Sequence, residues 1–244
     1  MIDPVEPAEV LAALARAGRD NPLLGFASGT GGRRADELCR ADRGAVTRLL
    51  DEVGRWLGDP EPRVAASMVV LGYGARLVGP AIATVLRDGI LVDLRPARVG
   101  YSFRPGHGFR LELVRATGWR GNPEALWQRW CEQVVDGHLG GLVEAVRGVV
   151  PVAAGLLWGN IVSSMVGALR ALAETGVVPV QRCHAEGQRL LDHGPLRGSG
   201  RLTLDSGRLR FVRNSCCLYY RLDGGGLCAD CCLDPRVPER VAPG

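Results

Sequence analysis

Five of the chain's eight cysteines lie within seventeen positions near its C-terminus, from Cys216 to Cys232. Cysteines this close together are typical of metal sites, disulfides or redox centres. Two adjacent cysteines, ten intervening residues and then a Cys-x-x-Cys pair place four thiolates around a glycine-rich hairpin. Four thiolates are a complete set of ligands for one site, so this feature constrains the fold of the last thirty residues more than any other.

The kind of metal follows from the spacing. Thiolate-only sites select zinc or iron–sulfur clusters. Structural zinc takes cysteine pairs with a short spacer from both sides, whereas Cys216 and Cys217 are adjacent and leave the backbone in different directions. A two-iron cluster offers separated attachment points, and the glycines at 224–226 let backbone N–H groups approach its sulfurs. The spacing favours a [2Fe–2S] cluster, with a structural four-cysteine zinc knuckle on a helical binding protein as the alternative.

A resemblance adds to this interpretation. Residues 213–221 read Arg-Asn-Ser-Cys-Cys-Leu-Tyr-Tyr-Arg, and residues 224–231 read Gly-Gly-Gly-Leu-Cys-Ala-Asp-Cys. Both resemble the C-terminal [2Fe–2S] signature of the FhuF-like ferric-siderophore reductases, and the cysteine spacing matches without insertion. Residues 157–164 and 167–170 resemble a helix of the same family. The resemblance implies that the cluster ligands are Cys216, Cys217, Cys228 and Cys231, and it favours Cys231 over Cys232.

The same resemblance implies a reaction. A [2Fe–2S] cluster passes one electron at a time, and the sequence shows no dinucleotide fingerprint or flavin site. The family then implies an enzyme that reduces Fe(III) in a siderophore and releases Fe(II). It needs an external one-electron donor, for which a ferredoxin-type protein is the natural candidate. An iron or redox sensor is a further alternative. The substrate is expected in a cleft whose floor is the cluster, with contributions from Asn160, Ser164, Arg182, Arg213 and Arg221.

Composition limits the other possibilities. The net charge is only +4 and the basic residues are spread along the 244 residues, which argues against a nucleic-acid partner. The N-terminus carries acids and prolines where a signal peptide would have an apolar segment, so we expect a cytoplasmic protein. The uncharged stretch 148–169 is long enough to span a membrane, but it contains Pro151 and Asn160 and predicts a buried core helix. We expect no transmembrane span, although contact with the inner membrane face is compatible with the sequence.

The predicted fold class is α+β and mainly α-helical, with a small antiparallel sheet and a short cysteine-rich module. We place a domain boundary at the glycine-rich joint 194–200, which gives a helical domain at 1–197 and a [2Fe–2S] module at 198–244. Residues 29–32, Gly-Thr-Gly-Gly, favour a linker over a phosphate loop. Helices are predicted near residues 6–18, 35–57, 63–87, 123–147 and 178–193, and strands near 90–94, 98–104, 109–115, 201–204 and 208–213.

One face of the predicted core helix is polar. Asn160, Ser163, Ser164 and Gly167 share it, while the opposite face is apolar. Polar groups on so apolar a helix need partners. Two alternatives follow: these polar side chains form hydrogen bonds with neighbouring loops, or they face the cysteine module or a substrate cleft.

Overall fold

The structure is a computed structural model that describes residues 2–26, 31–40 and 42–234. Within these residues, seven α-helices are joined by short antiparallel strands, so the fold is α+β and mainly α-helical, as the sequence predicts. Residues 29 and 30 of the Gly-Thr-Gly-Gly segment lie outside the described part of the chain. The helices are α1 (Pro7–Asp20), α2 (Gly44–Trp56), α3 (Pro62–Asp88), α4 (Pro123–Trp130), α5 (Gly140–Arg147), α6 (Ala154–Glu174) and α7 (Val180–Leu191).

Helices α3 and α6 lie side by side at the centre of the molecule. They approach closely at Gly74, where a Cβ atom would lie 3.8 Å from the side chains of Ile161 and Ser164. Pro80 lies inside α3, yet the helix runs unbroken for 27 residues, so the single helix predicted near 63–87 is confirmed. An internal proline costs about 3 kcal/mol. Burial of the apolar residues around it, at about 1.5 to 3 kcal/mol each, outweighs that cost.

Both central helices are long and apolar enough to span a membrane by length and composition. Arg76 divides the first of them, so the sequence alone indicates only the second as a candidate span. In the fold, 72% of the most apolar window of α3 and 67% of that of α6 are buried inside the protein. Such burial is typical of core helices, and neither helix implies a transmembrane span.

The strands form two three-stranded sheets and one hairpin among the described residues. The first sheet has the order β1-β6-β3 and the second β2-β4-β5, both antiparallel. The predicted antiparallel strands are present, but they belong to two sheets instead of one, because β3 pairs with β6 and not with β4. The strands are β1 (Ile2–Val5), β2 (Arg33–Arg34), β3 (Ile90–Val92), β4 (Val99–Arg104), β5 (Gly108–Leu113), β6 (Gly118–Gly121), β7 (Gly200–Asp205) and β8 (Arg208–Arg213).

Two predicted helices differ in detail from the observed ones. The helix expected from residue 35 is a short 3-10 helix, Ala35–Cys39, and α2 starts only at Gly44. The helix expected at 123–147 is continuous, but its middle, Cys131–Leu139, is a π-helix. Its start is confirmed, because the Asn122 side chain accepts hydrogen bonds from two backbone N–H groups of the first turn.

The β7–β8 hairpin packs on α6 and α7. Its buried side chains Leu202, Leu209 and Phe211 are continuous with the helical core. The contact is close, since a Cβ atom at Gly187 of α7 would collide with the Leu202 side chain. The hairpin therefore holds the following cysteine segment against the helices, and the division at residue 197/198 into two domains stays a prediction.

Candidate [2Fe–2S] site

The predicted ligands follow strand β8 directly. Cys217 and Cys231 are buried, while Cys216 and Cys228 are partly exposed. The side chains of Cys217 and Cys228 are hydrogen-bonded to each other, so the adjacent pair and the Cys-x-x-Cys pair meet. The structure thus brings together one cysteine from each end of the glycine-rich hairpin.

All four sulfurs share one local geometry. Each accepts a hydrogen bond from the backbone N–H of the residue two positions further along the chain. Such N–H···S bonds stabilise a thiolate over a thiol, and at metal sites they orient the ligand and tune the metal. The pairs are Leu218 with Cys216 at 3.3 Å, Tyr219 with Cys217, Asp230 with Cys228, and Leu233 with Cys231 at 3.3 Å.

The hairpin between the two pairs is held by unusual backbone conformations. Leu218 adopts a left-handed conformation, with φ of 64°, in which its N–H points to Cys216. A non-glycine residue in this region is uncommon and is often found at functional sites. Gly224 is also left-handed, and a Cβ atom at Gly225 would collide with the Tyr219 carbonyl oxygen. The glycines therefore close the turn that positions the cysteines.

The thiols of the site differ from those elsewhere in the chain. The hydrogen bond from Cys228 lowers the pKa of Cys217 to about 7, assisted by the Tyr219 N–H and the charge of Arg213. The pKa of Cys228 is raised by the same hydrogen bond, because its thiol is the donor. Burial raises the pKa of Cys39 to about 11 and that of Cys131 to about 12, so these two remain neutral thiols. A thiolate is therefore favoured in the C-terminal segment.

The donor set fits a two-iron cluster. Across residues 2–26, 31–40 and 42–234, no three cysteine, histidine or acidic side chains converge closely enough to hold one metal ion. The four thiols are nevertheless the softest ligands in the segment, and two of them are in direct contact. The preference for a [2Fe–2S] cluster over a single tetrahedral zinc ion therefore rests on the thiolate donor set and the cysteine spacing.

Comparison with protein families agrees with this geometry. The model of the FhuF 2Fe-2S C-terminal domain matches residues 213–233. The chain carries a FhuF-type [2Fe–2S] domain. Its cofactor is a [2Fe–2S] cluster, and the recognition made from the sequence is confirmed for this segment. None of the curated proteins compared with the chain matches it. The assignment of the four individual cysteines as ligands stays a prediction.

The FhuF-type domain is anchored to α6 through Asp230, which lies inside the Cys-x-x-Cys pair. Its carboxylate accepts a hydrogen bond from Ser163 at 2.9 Å and forms an ion pair with Arg170 at 2.7 Å. Arg170 also donates to the carbonyl oxygen of Leu209 in β8. Sequence reasoning missed Asp230 and Arg170, although Arg170 lies within the helix segment that resembles the family.

A second anchor joins α3, α6 and the domain. The Ser67 hydroxyl donates to the carbonyl oxygen of Cys217 at 2.6 Å. The Asn160 amide donates to Ser67, and its oxygen accepts a hydrogen bond from Arg213 at 2.6 Å. Asn160 and Ser163 on the polar face of α6 therefore meet the cysteine domain, which is one of the expectations from the sequence. Ser67 was missed, because a serine in an apolar helix gives no signal of a partner 150 residues away.

A cleft of about 270 Å³ opens beside Cys228. Its polar lining comes from α6 and the FhuF-type domain, and its apolar lining comes from α3, Leu23 and Ala168 of α6. Gly167 also lines it, with no atom within 4 Å of where a Cβ would lie. The polar lining residues are Ser163, Ser164, Arg170, Arg213, Cys228 and Asp230.

The five residues predicted to contact substrate lie in different places. Ser164 and Arg213 line the cleft, while Asn160 is wholly buried behind it. Arg221 is on the surface, paired with Glu61. Arg182 lies on α7 and lines a separate apolar pocket. The structure thus gathers Asn160, Ser164 and Arg213 near Cys228 but not the other two, and the substrate role of all five stays a prediction.

Proposed function

We propose that the protein is a ferric-siderophore reductase that transfers one electron to Fe(III) in the chelate and so releases Fe(II) for cellular use. The observation that carries the proposal is the cleft lined by Cys228 of the FhuF-type domain. A bound [2Fe–2S] cluster supplies single electrons. Hydroxamate oxygens are hard ligands that hold Fe(III) far more tightly than Fe(II), so one electron is enough to release the metal.

The size of the cleft restricts how a chelate binds. Pockets that enclose drug-sized ligands have roughly 300–1,000 Å³, and this cleft has about 270 Å³. One edge of a siderophore complex fits, while the rest stays in solvent. Ser163 and Ser164 offer hydroxyl groups at that edge. Arg170 is paired with Asp230 in the lining, so the guanidinium of Arg213 leaves the cleft with a net positive charge, which suits the anionic oxygens that surround the iron.

The proposal predicts stoichiometric iron reduction. Anaerobically reduced protein, freed of excess reductant, is expected to convert one equivalent of a ferric trihydroxamate to Fe(II) per cluster, followed with a coloured Fe(II) chelator. Recovery of the oxidised visible spectrum should accompany Fe(II) release. A reduced protein that keeps its spectrum in the presence of the chelate contradicts the proposal and leaves the sensor as the alternative.

A substitution in the cleft beside Cys228 tests whether reduction of the chelate occurs there. Gly167→Leu fills the cleft, and removing a helical glycine favours α6 by about 1 kcal/mol. We expect kcat/KM for the chelate to fall about tenfold, equivalent to about 1.4 kcal/mol, with an unchanged reduction potential. Gly155→Leu is the matched control, since Gly155 is also in α6 with open space around it and lies outside the cleft.

The external donor has a suitable surface beside this cleft. A second cleft of about 520 Å³ is lined by Arg76, Arg104, His107 and Arg110, and none of its described lining residues is acidic. Both clefts are bordered by α3, since Ala75 lines the cysteine cleft and Arg76 lines this one. A ferredoxin-type donor with acidic residues around its own centre is complementary to this charge. The proposed reaction is set in the cytoplasm, where such donors are kept reduced.

Charge reversal in the basic cleft tests the donor. Arg104→Glu is expected to slow reduction by an acidic ferredoxin about tenfold at low salt, because steering by opposite charge raises association rates. The difference from wild type should shrink as ionic strength rises. Arg48→Glu, an exposed arginine of α2 outside the cleft, is the control. Equal rates for the two variants with a ferredoxin, measured by stopped flow, contradict docking at this surface.

A further inference from the structure

Arg213 is one of the largest fully buried side chains in the described part of the protein, with 1% of its surface exposed. Its Nη2 donates to the Asn160 oxygen at 2.6 Å and to the Leu156 carbonyl oxygen at 3.4 Å. Its Nε is buried and has no hydrogen-bond partner among the described residues. Both partners are neutral amide oxygens, so a full positive charge is buried here without an adjacent carboxylate.

Such a charge needs a counter-ion. Burial of an unpaired charge costs several kcal/mol, and proteins therefore pair buried charges. The nearby Asp230 carboxylate is already occupied by Arg170 and Ser163. Arg213 lines the same cleft as Cys228, and its charge acts on the sulfurs of Cys217 and Cys228. Arg213 therefore places a positive charge beside the cysteine site.

We propose that Arg213 is the buried counter-charge of the [2Fe–2S] cluster and raises its reduction potential, with Asn160 as the residue that positions it. A cluster held by four thiolates is anionic and gains one more negative charge when it accepts an electron. A fixed positive charge in a low-dielectric environment stabilises the reduced form more than the oxidised form.

Asn160 links the Arg213 guanidinium to both central helices, α6 and α3. Its amide group donates to Ser67 of α3, and Ser67 in turn donates to the Cys217 carbonyl oxygen. The close approach of Arg213 to α6 requires Gly159, where a Cβ atom would lie 3.0 Å from Nη2. The position of the charge is therefore fixed by the packing of α3 on α6. This inference rests on the cofactor and not on the siderophore as substrate.

The test is an equilibrium redox titration of the cluster-containing protein, followed by visible absorption and electron paramagnetic resonance. In Arg213→Gln the ratio of reduced to oxidised cluster at a fixed potential is expected to fall at least tenfold, a downward shift of about 59 mV for one electron. Arg213→Lys should recover most of the loss. The control Arg201→Gln, the same change at an exposed position of β7, should shift the ratio less than twofold.

Analysis of iron and sulfide content distinguishes a change in the reduction potential from loss of the cluster. If Arg213→Gln fails to hold a cluster, Asn160→Asp provides the second measurement, because a carboxylate against the guanidinium cancels its charge and should also lower the potential. A fully loaded Arg213→Gln with the potential of the control overturns the proposal, as does an Asn160→Asp variant whose potential does not fall. Neither result depends on whether the protein reduces a ferric siderophore.

Discussion

Replacing Cys228 with serine is expected to remove most of the iron and acid-labile sulfide from anaerobically purified protein, together with the brown colour of the cluster. Serine does not deprotonate as readily as cysteine and is a harder ligand, so it replaces a thiolate poorly at a soft iron–sulfur site. Cys228 is also the residue that contacts Cys217 across the hairpin. We therefore expect its loss to remove a predicted ligand and the contact between the two cysteine pairs.

Cys232→Ser is the matched control for this experiment. Cys232 is adjacent to Cys231 and partly exposed, but lies outside the four-cysteine spacing. We expect this variant to keep its iron and sulfide, whereas Cys231→Ser should lose them. The opposite pattern would assign the fourth ligand to Cys232. A colourless wild-type protein with stoichiometric zinc would instead support the zinc knuckle and remove the basis of the reductase proposal.

The cysteine domain was predictable because its information is local. The spacing from Cys216 to Cys231 is a property of the chain itself, and thiolate chemistry restricts what such a spacing binds. The start of α4 was predictable for the same reason, since Asn122 caps the helix with its own side chain. Features that depend on a few neighbouring residues can be predicted from the sequence, because they need no contact with distant segments.

Pairing between distant segments was not predictable in this way. Strand β1 contains Pro4 and gave no strand signal, yet it pairs with the distant strand β6 at the edge of its sheet. The five proposed substrate residues show the same limit. Asn160 and Arg213 are polar and suggested a substrate surface, but tertiary packing buries both side chains, and only Arg213 lines the cleft beside Cys228.

A buried histidine outside the cysteine domain is expected to make the stability of the protein depend on pH. His138 lies in the π-helix, where one ring nitrogen, Nδ1, is 2.6 Å from the Leu94 carbonyl oxygen and the other, Nε2, is 2.7 Å from the Tyr73 hydroxyl. A neutral ring satisfies both contacts, donating from Nδ1 and accepting at Nε2. Burial lowers the pKa of His138 to about 4, although the Leu94 carbonyl oxygen opposes this.

Protein stability is therefore expected to fall as the solution becomes acidic. Above the pKa of an unfolded histidine, about 6.5, the ring is neutral in both states and the full stability is present. Below it, His138 of the unfolded chain binds a proton, whereas His138 of the folded protein stays neutral down to about pH 4. The free energy of unfolding should lose about 1.4 kcal/mol per pH unit in this window, or about 2 kcal/mol between about pH 6.5 and pH 5.

Urea unfolding of cluster-containing protein at about pH 7, 6 and 5 measures this loss, and a non-titrating variant isolates the histidine. His138→Phe is less stable at neutral pH, because it leaves the Tyr73 hydroxyl and the Leu94 carbonyl oxygen without this partner. Its pH slope should nevertheless be shallower than that of wild type by about 1.4 kcal/mol per unit. His107→Gln, in the exposed turn between β4 and β5, should keep the wild-type slope. Parallel slopes for wild type and His138→Phe would mean that His138 is protonated in the folded protein, against the geometry of its two contacts.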